Sequence, residues 1–506
     1  MLKFLWQNED GIVLPLAVVL IAVLTLLGFS AIFMVDAQKS LAQKDIEKAD
    51  ALHYAEAGIH DYLGHVNRKT NKDWDRWGEV IPFEDGYYQV VKVDYDEKSL
   101  KRDIQSTGWV AGDEDNKRTV QVTIDRRAFN QYAYFSNTDS FIINGKKEKV
   151  YWAKNEKCYG PYHTNDSLYI KDANSSSRPV FYGHVSYVNA IEGDYVKSYA
   201  KQLFREGYSK VPPIVIPQTN YQIKERAQEG GHYYSGRTRI LLDGDKYHVK
   251  YYEYDEKGKK YVEKEKRNLP LPENGVIYVD GGSDGKFAAT SGNLFIAGEL
   301  SGSLTIGAAN EIYITGYDPL EDTWATKNGK NWTIVPAKKP NNTTQGLVYK
   351  NTTFQQVKKG NEVVGYTANL NKGDDLLGLV ANKDIKILGI GWFNNPNPSS
   401  GSRNSDPDPE YNVAPTDITI HGAIFSIGEG FGFEAYDIHK KGTIILRGSI
   451  IQNSRKAVGL TDGSKGYKKD YAHDPRMLNA TPPGFPEPLN TGWEIKSWKE
   501  VNPNTN

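Results

Sequence analysis

The chain has 506 residues, with 62 basic and 63 acidic side chains for a net charge of −1, and 39% of its residues are apolar. That length supports two or three domains with real cores, while the charge balance excludes the basic field that would hold nucleic acid. A single cysteine, Cys158, excludes both an intrachain disulfide and a cysteine-based metal cage, so stability must come from packing and strand ladders, for which 33 Tyr and 10 Trp are well suited because flat rings pack on pleated surfaces.

Residues Ile12 to Val35 carry no charged side chain, close to the ~20 apolar residues needed to cross a bilayer. A secretory signal has a shorter apolar core and a small-x-small cleavage site after it. Here the apolar run passes without a break into a helical pattern. Ala49, Leu52, Ala55, Ile59, Leu63 and Val66 recur at three- and four-residue steps, with Lys44, Glu47, Lys48, Asp50 and Asp61 between them. The spacing predicts one helix from about Ile12 to about Val66, roughly 80 Å long at the α-helical rise. Its first half is apolar all round and its second half amphipathic. Pro15 falls in the first turn, where a missing backbone N–H costs little. The expected placement is a single-pass membrane protein with a cytoplasmic N-terminus and its bulk outside the cytoplasm. The competing reading is a plain, uncleaved signal anchor.

The stretch Gly11-Ile12-Val13-Leu14-Pro15-Leu16, then Val23-Leu24-Thr25-Leu26-Leu27-Gly28, and later Tyr54-Ala55-Glu56-Ala57-Gly58-Ile59, resembles the N-terminus of PilX-type minor pilins. The resemblance implies a leader over residues 1–11, cleavage by a prepilin peptidase between Gly11 and Ile12, a transmembrane helix over 12–35, and helix-to-helix packing with other pilins. Two departures stand out. Major pilins carry Glu at the fifth mature position, where this chain has Leu16. The leader is also acidic before the glycine, through Glu9 and Asp10, with Lys3 its only basic side chain, which makes a weak positive-inside signal.

Beyond the helix, Tyr87–Val93, Ile104–Val110 and Thr119–Asp125 read as antiparallel strands, the last with Val120, Val122 and Ile124 alternating on one face. With the amphipathic half of the helix they make a pilin-like unit over 36–127. A linking β-rich region follows over 128–270. In it the segment Gly160-Pro161-Tyr162-His163-Thr164-Asn165 resembles the opening of a distal PilX-like domain of uncharacterised function, with His163 expected in a structural turn rather than as a base or ligand. A hairpin meander is expected at Arg239–Leu242, Tyr247–Tyr254 and Tyr261–Lys264; its Asp and Glu cancel the Tyr and Lys pattern of a nucleic-acid binder.

Over 271–458 short apolar-x-apolar strands recur, at Val276–Val279, Leu294–Ile296, Leu304–Ile306, Ile312–Ile314, Ile385–Ile387, Ile418–Ile420 and Ile444–Leu446. Steps of about 8–10 residues with small turn residues predict a β-solenoid; a sandwich is the alternative. Inserts at Glu321–Asp374 and Asn394–Asn412 interrupt the repeat, and the second is expected to be a mobile loop. Residues 459–506, rich in Pro and carrying Phe485, Trp493 and Trp498, are expected to cap the last rung, since Pro cannot extend a ladder. The fold class is therefore mainly β, with a long N-terminal helix, a small antiparallel sheet and a solenoid.

Enzymatic β-helices need converging carboxylates or bases on adjacent rungs. The rung strands offer Phe295, Thr305, Tyr313, Lys386 and Thr419 instead. Asp374, Asp375, Asp406 and Asp408 are expected to be solvated in loops. Gly281-Gly282-Ser283-Asp284-Gly285 departs from the calcium nonapeptide pattern, and the sequons at Asn331, Asn342 and Asn351 have meaning only in a glycosylating export route. No catalytic residue, metal or cofactor is expected. The sequence points to a non-enzymatic assembly, tip-display or adhesion component of a type IV pilus-like system, with other pilins, the prepilin peptidase, the membrane and a surface or glycan ligand as partners. The alternatives are a membrane-anchored glycan-binding protein and a carbohydrate-active β-helix enzyme.

Overall fold

The computed structural model describes residues 13–68, 74–94, 100–143, 146–230, 232–320, 324–328, 331–334, 346–370, 374–389, 392–393 and 413–502. The chain folds into two compact units, one made of residues 1–96, 101–125 and 493–506 and the other of 97–100 and 126–492.

The smaller unit begins with helix α1 (Val13–Asn67). A sheet follows, in which β1 (Val80–Phe83), β2 (Gly86–Asp94), β3 (Lys101–Val110) and β4 (Arg118–Arg126) pair antiparallel in sequence order. The expected alternation in β4 holds, with Val120, Val122 and Ile124 fully buried against the C-terminal half of α1. The buried helix face is rotated from the expected stripe. Ala51, Tyr54, Ala55, Gly58, Ile59 and Tyr62 are buried, whereas Ala49 is exposed and Leu52, Leu63 and Val66 lie at the border of the core. Tyrosine carries the difference: its ring is apolar surface, and reading only aliphatic residues as core-facing left Tyr54 and Tyr62 out of the stripe.

A fifth strand completes this sheet beyond β4. It is Trp493–Val501, from the end of the chain. The expectation that Trp493 and Trp498 cap the last rung is therefore corrected. Only Trp493 is buried, in the core of the small sheet, and Trp498 is exposed.

The larger unit is built from parallel ladders. The first runs through Val276–Asp280, Ser303–Ala308, Leu376–Ala381 and the second halves of Ile418–Ser426 and Lys440–Ser454. Beyond these it continues through Tyr134–Thr138, Tyr162–Thr164, Val185–Tyr187 and Tyr208–Lys210. A second ladder joins Thr238–Gly244, Leu294–Leu300, Gly346–Tyr349 and the first halves of Ile418–Ser426 and Lys440–Ser454 to Gly466–His473. A third joins Leu294–Ile296 to Ile312–Ile314, Ile385–Ile387 and Phe431–Phe433. Each strand in the middle of a ladder has a parallel neighbour on either side, so backbone donors and acceptors are satisfied without antiparallel partners.

Side chains alternate between the two faces. Ile277, Ile306, Leu379, Ile424 and Ile450 point inward and meet Ile240, Ile296, Ile312 and Ile385 in one core. Where Leu294–Leu300 passes from the third ladder to the second, Gly298 has φ of 117°, and a Cβ there would overlap the carbonyl oxygen of Leu242 on the neighbouring strand.

Residues 134–210, part of the region 128–270 expected to be a link, thus pair beyond Lys440–Ser454 instead of preceding Val276–Asp280. The chain must then travel back along the ladder, and it does so on the outer face. Ile214, Ile216 and the helix Tyr221–Gly230, through Ile223 and Ala227, cover Val276, Tyr278, Val380, Phe425 and Phe135. Asn220 donates through Nδ2 to the carbonyls of Ala308 and Val380, at 2.9 and 3.0 Å, pinning the return segment to two successive strands. Met477 and Phe485 pack on this same face. Asp375, expected to be solvated, is fully buried. It accepts from the backbone N–H of Gly302 (2.9 Å) and of Asn351 (2.6 Å), tying a turn to the ladder beside it. Asp374 is exposed as expected, although Arg476 pairs with it at 2.6 Å. The loop at 394–412, including Asp406 and Asp408, and the sequon at Asn342 lie outside the described residues.

Candidate functional site

The most unusual surface among the described residues is the first half of α1. Every residue from Val13 to Ile46 is exposed, Leu16 at 65% and Phe33 at 72%. Exposed apolar surface of this extent, on a helix long enough to cross a bilayer, marks a surface that is covered by lipid or protein in use. Leu16 sits on this stretch and brings no charge to it. Gly11 and Ile12, the expected processing site, lie outside the described residues.

The second half of α1 is held by close approach. A Cβ on Gly108 of β3 would overlap the Ala51 carbonyl oxygen and the Ala55 nitrogen. One on Gly58 would overlap Ser106 Oγ. Small residues on both surfaces let the helix backbone lie directly on the sheet, and large rings fill the flanks. Tyr62 meets Trp74 edge-on at 5.7 Å, and Tyr88 donates to Asp61 Oδ2 at 2.7 Å.

The C-terminal strand locks the end of the helix. Asn67 accepts from the Trp493 backbone N–H through Oδ1 (2.7 Å) and donates through Nδ2 to the Trp493 carbonyl (3.1 Å). Buried Arg102 stacks its guanidinium 4.4 Å from the Trp493 ring centre and donates to Tyr62 Oη at 3.2 Å. Helix, sheet and C-terminus thus meet at one cluster. The strand itself alternates in sequence as Trp493-Glu494-Ile495-Lys496, but nothing local says which sheet it joins.

His163 is the other residue singled out by the sequence. It lies in the strand Tyr162–Thr164 and not in a turn. Its Nδ1 is 2.8 Å from Ser186 Oγ and its Nε2 2.9 Å from Asn165 Oδ1. A serine, a histidine and an amide in this order resemble a nucleophile, base and orienting group. Ser186 was missed because it lies one strand along the ladder, 23 residues away in sequence. However, His163 is fully buried, with its ring stacked on Phe135 at 5.0 Å, and Ser186 Oγ donates to the Tyr162 carbonyl at 3.2 Å. Burial holds the imidazole pKa down to about 4, so it is neutral at pH 7. No substrate reaches the pair, and the arrangement works as a buried polar link between strands.

The rung residues Phe295 and Tyr313 form an outward ring stack with Phe287, at 5.5 and 4.9 Å. Lys386, the next residue along that ladder, pairs with Glu311 at 2.6 Å and Asp384 at 2.9 Å. Thr305 is fully buried. Asp284, the acid of the glycine-rich turn, accepts from Thr290 Oγ1.

The family described as "Domain of unknown function (DUF4900)" matches residues 86–189. The match begins in β2 and ends just past the strand Val185–Tyr187, so it takes in parts of both units. No curated protein matches the chain. Among solved structures, a competence-associated pilin ComZ from Thermus thermophilus aligns over 90% of this chain and 98% of its own, at 12% identity. The TM-score is 0.24, too low to establish a shared fold.

Proposed function

We propose that the chain is a membrane-anchored, pilin-like subunit of a type IV pilus-like filament, acting without catalysis in assembly, tip display or adhesion. One observation carries this reading: α1 is a single helix of 55 residues with two different surfaces. Its first half is apolar and bare on every side, and its second half is seated on an antiparallel sheet. A simple anchor needs only about 20 apolar residues. It does not need a stiff continuation docked to the first domain, whereas a subunit that packs by its helix in a filament does.

The resemblance of the N-terminus to PilX-type minor pilins agrees with this reading and supplies the partners: other pilins along the helix, and a prepilin peptidase acting between Gly11 and Ile12. Leu16 argues for a place at the tip. A carboxylate at that position in a major pilin meets a neighbour's terminal amine, and the attraction outweighs part of its desolvation. Leu16 has no charge to offer a subunit above it. The parallel ladders support reading the larger unit as a β-solenoid, a stiff body that would crowd a shaft if repeated and that suits display to a surface or glycan ligand. The burial of His163 and Ser186 supports the non-catalytic part.

The processing step tests the first claim. Co-expression with a prepilin peptidase should yield a mature chain beginning at Ile12 by mass spectrometry, and Gly11→Val should block it. A wild-type chain retaining Met1 under those conditions would count against the proposal.

A further inference from the structure

Within the larger unit, the segment after Lys440–Ser454 encloses a cavity of about 10 Å³, room for about one water-sized occupant. It lies where Lys440–Ser454 and Gly466–His473 meet the strands that begin at Tyr134, lined by Tyr134, Trp152, Arg455, Lys469 and Tyr471, with the Arg455 guanidinium packed on the Trp152 ring 4.5 Å from its centre. Trp152 and Arg455 are 3% and 4% exposed. Trp152 Nε1, an Arg455 terminal nitrogen (Nη1) and the Tyr471 hydroxyl are all buried and find no partner within the protein. Leaving such groups unmatched is costly, and three of them line one small space.

Their chemistry selects the occupant. An indole N–H and a guanidinium can only donate, and so can the ammonium of Lys469 on the rim. Of the unmatched groups only the tyrosine hydroxyl can also accept. A water would accept from two donors and then have to place two hydrogens, with one acceptor among these groups. A halide accepts from all of them and donates nothing. Two carboxylates face Arg455, and both are already engaged: Glu156 by Lys469 at 2.5 Å and by the other Arg455 terminal nitrogen at 3.8 Å, and fully buried Asp139 by the Tyr162 hydroxyl at 2.6 Å. Lys456, also on the rim, is held by Asp384 at 2.6 Å. The Lys469 and Lys456 side chains are 30% and 33% exposed, so the rim can yield to an ion somewhat larger than water.

We propose that this cavity binds a small monovalent anion, chloride in practice, which bolts the N-terminal strands of the stack onto its C-terminal rung. Trp152, Arg455 and Tyr471 are its ligands and Lys469 its charged rim. Binding to the folded state alone raises stability with ligand concentration.

The test uses the full chain in detergent at constant ionic strength, with gluconate replaced stepwise by chloride. The wild type should show a saturable rise in Tm of roughly 2–4 °C, and bromide should reproduce it. Trp152→Phe keeps the ring and removes the donor. It should fold with an unchanged circular dichroism spectrum and lose most of the rise, and Arg455→Met should behave alike. If Arg455→Met fails to fold, Trp152→Phe still decides the matter. A wild-type Tm equal in chloride and gluconate means that water fills the space and overturns the proposal. A full chloride response in folded Trp152→Phe overturns the assigned site.

Discussion

Truncating Trp493 to alanine should loosen the smaller unit and leave the larger one intact. The ring is buried in the core between α1 and the sheet, and a Trp→Ala change in a core costs about 3–5 kcal/mol. Part of that cost is the loss of the Arg102 stack at 4.4 Å, a desolvated cation–π contact of roughly 1–2 kcal/mol. The two bonds from Asn67 reach the backbone of residue 493 and survive the truncation. Asn67→Ala removes them instead, at about 0.5–1.5 kcal/mol each. Against the ~5–15 kcal/mol of a typical domain, the tryptophan change is large and the asparagine change moderate. Hydrogen exchange on the full chain in detergent reads this locally. Protection should fall in α1 over 51–66 and in β3 and β4, more in Trp493→Ala than in Asn67→Ala, while Leu376–Ala381 and Ile418–Ser426 stay protected. Unchanged protection of β4 would refute the closing role given to the C-terminal strand, and so would equal loss in the parallel ladders.

Gly108→Val should force α1 off the sheet, since its branched side chain would occupy the space of the Ala51 carbonyl and the Ala55 nitrogen; overpacking of about 1–3 kcal/mol or more should appear as protease cleavage within 51–66. Gly298→Ala should destabilise the larger unit by about 1–3 kcal/mol through its positive φ alone, with the Leu242 contact adding to it, seen as a lower urea midpoint of the ladder signals. The larger unit should also weaken in mild acid. His163 and His421 have pKa values held down by burial, to about 4 and about 3, so unfolding takes up protons. Stability is then full above the unfolded value near 6.5 and falls as pH drops toward 4, by about 3 kcal/mol for His163 at 1.36 kcal/mol per unit. Urea titrations at pH 7 and 4.5 should show a smaller difference in His163→Gln than in wild type. Leu16→Glu should allow incorporation along the filament shaft; unchanged tip placement would remove the electrostatic part of the argument.

Local residue patterns reveal most elements but not their partners. The apolar run announced α1, and the alternation of Val120, Val122 and Ile124 announced β4. The apolar-x-apolar triplets from Val276 onward marked strands that the structure confirms one by one. What stayed hidden is long-range. Nothing near Tyr134 or Tyr162 says that these strands stack beyond Ile450, because parallel pairing leaves no turn signal between partners. Trp493–Val501, expected within a cap, is a strand whose neighbour β4 lies hundreds of residues earlier. Ser186 meets His163 only because both occupy matching positions on adjacent strands. The glycines at 58 and 108 act through a helix–sheet contact that neither sequence neighbourhood contains.

On the proposed function, the bare half of α1 packs among the helices of filament subunits and carries the larger unit at a filament tip. Immunogold labelling with an antibody against the larger unit, on filaments sheared from cells that express the chain at its natural level, tests it most directly. One or a few gold particles are expected at filament ends. Label confined to the cell envelope, with none on filaments, would contradict the filament role, and label spread along whole shafts would contradict the tip placement.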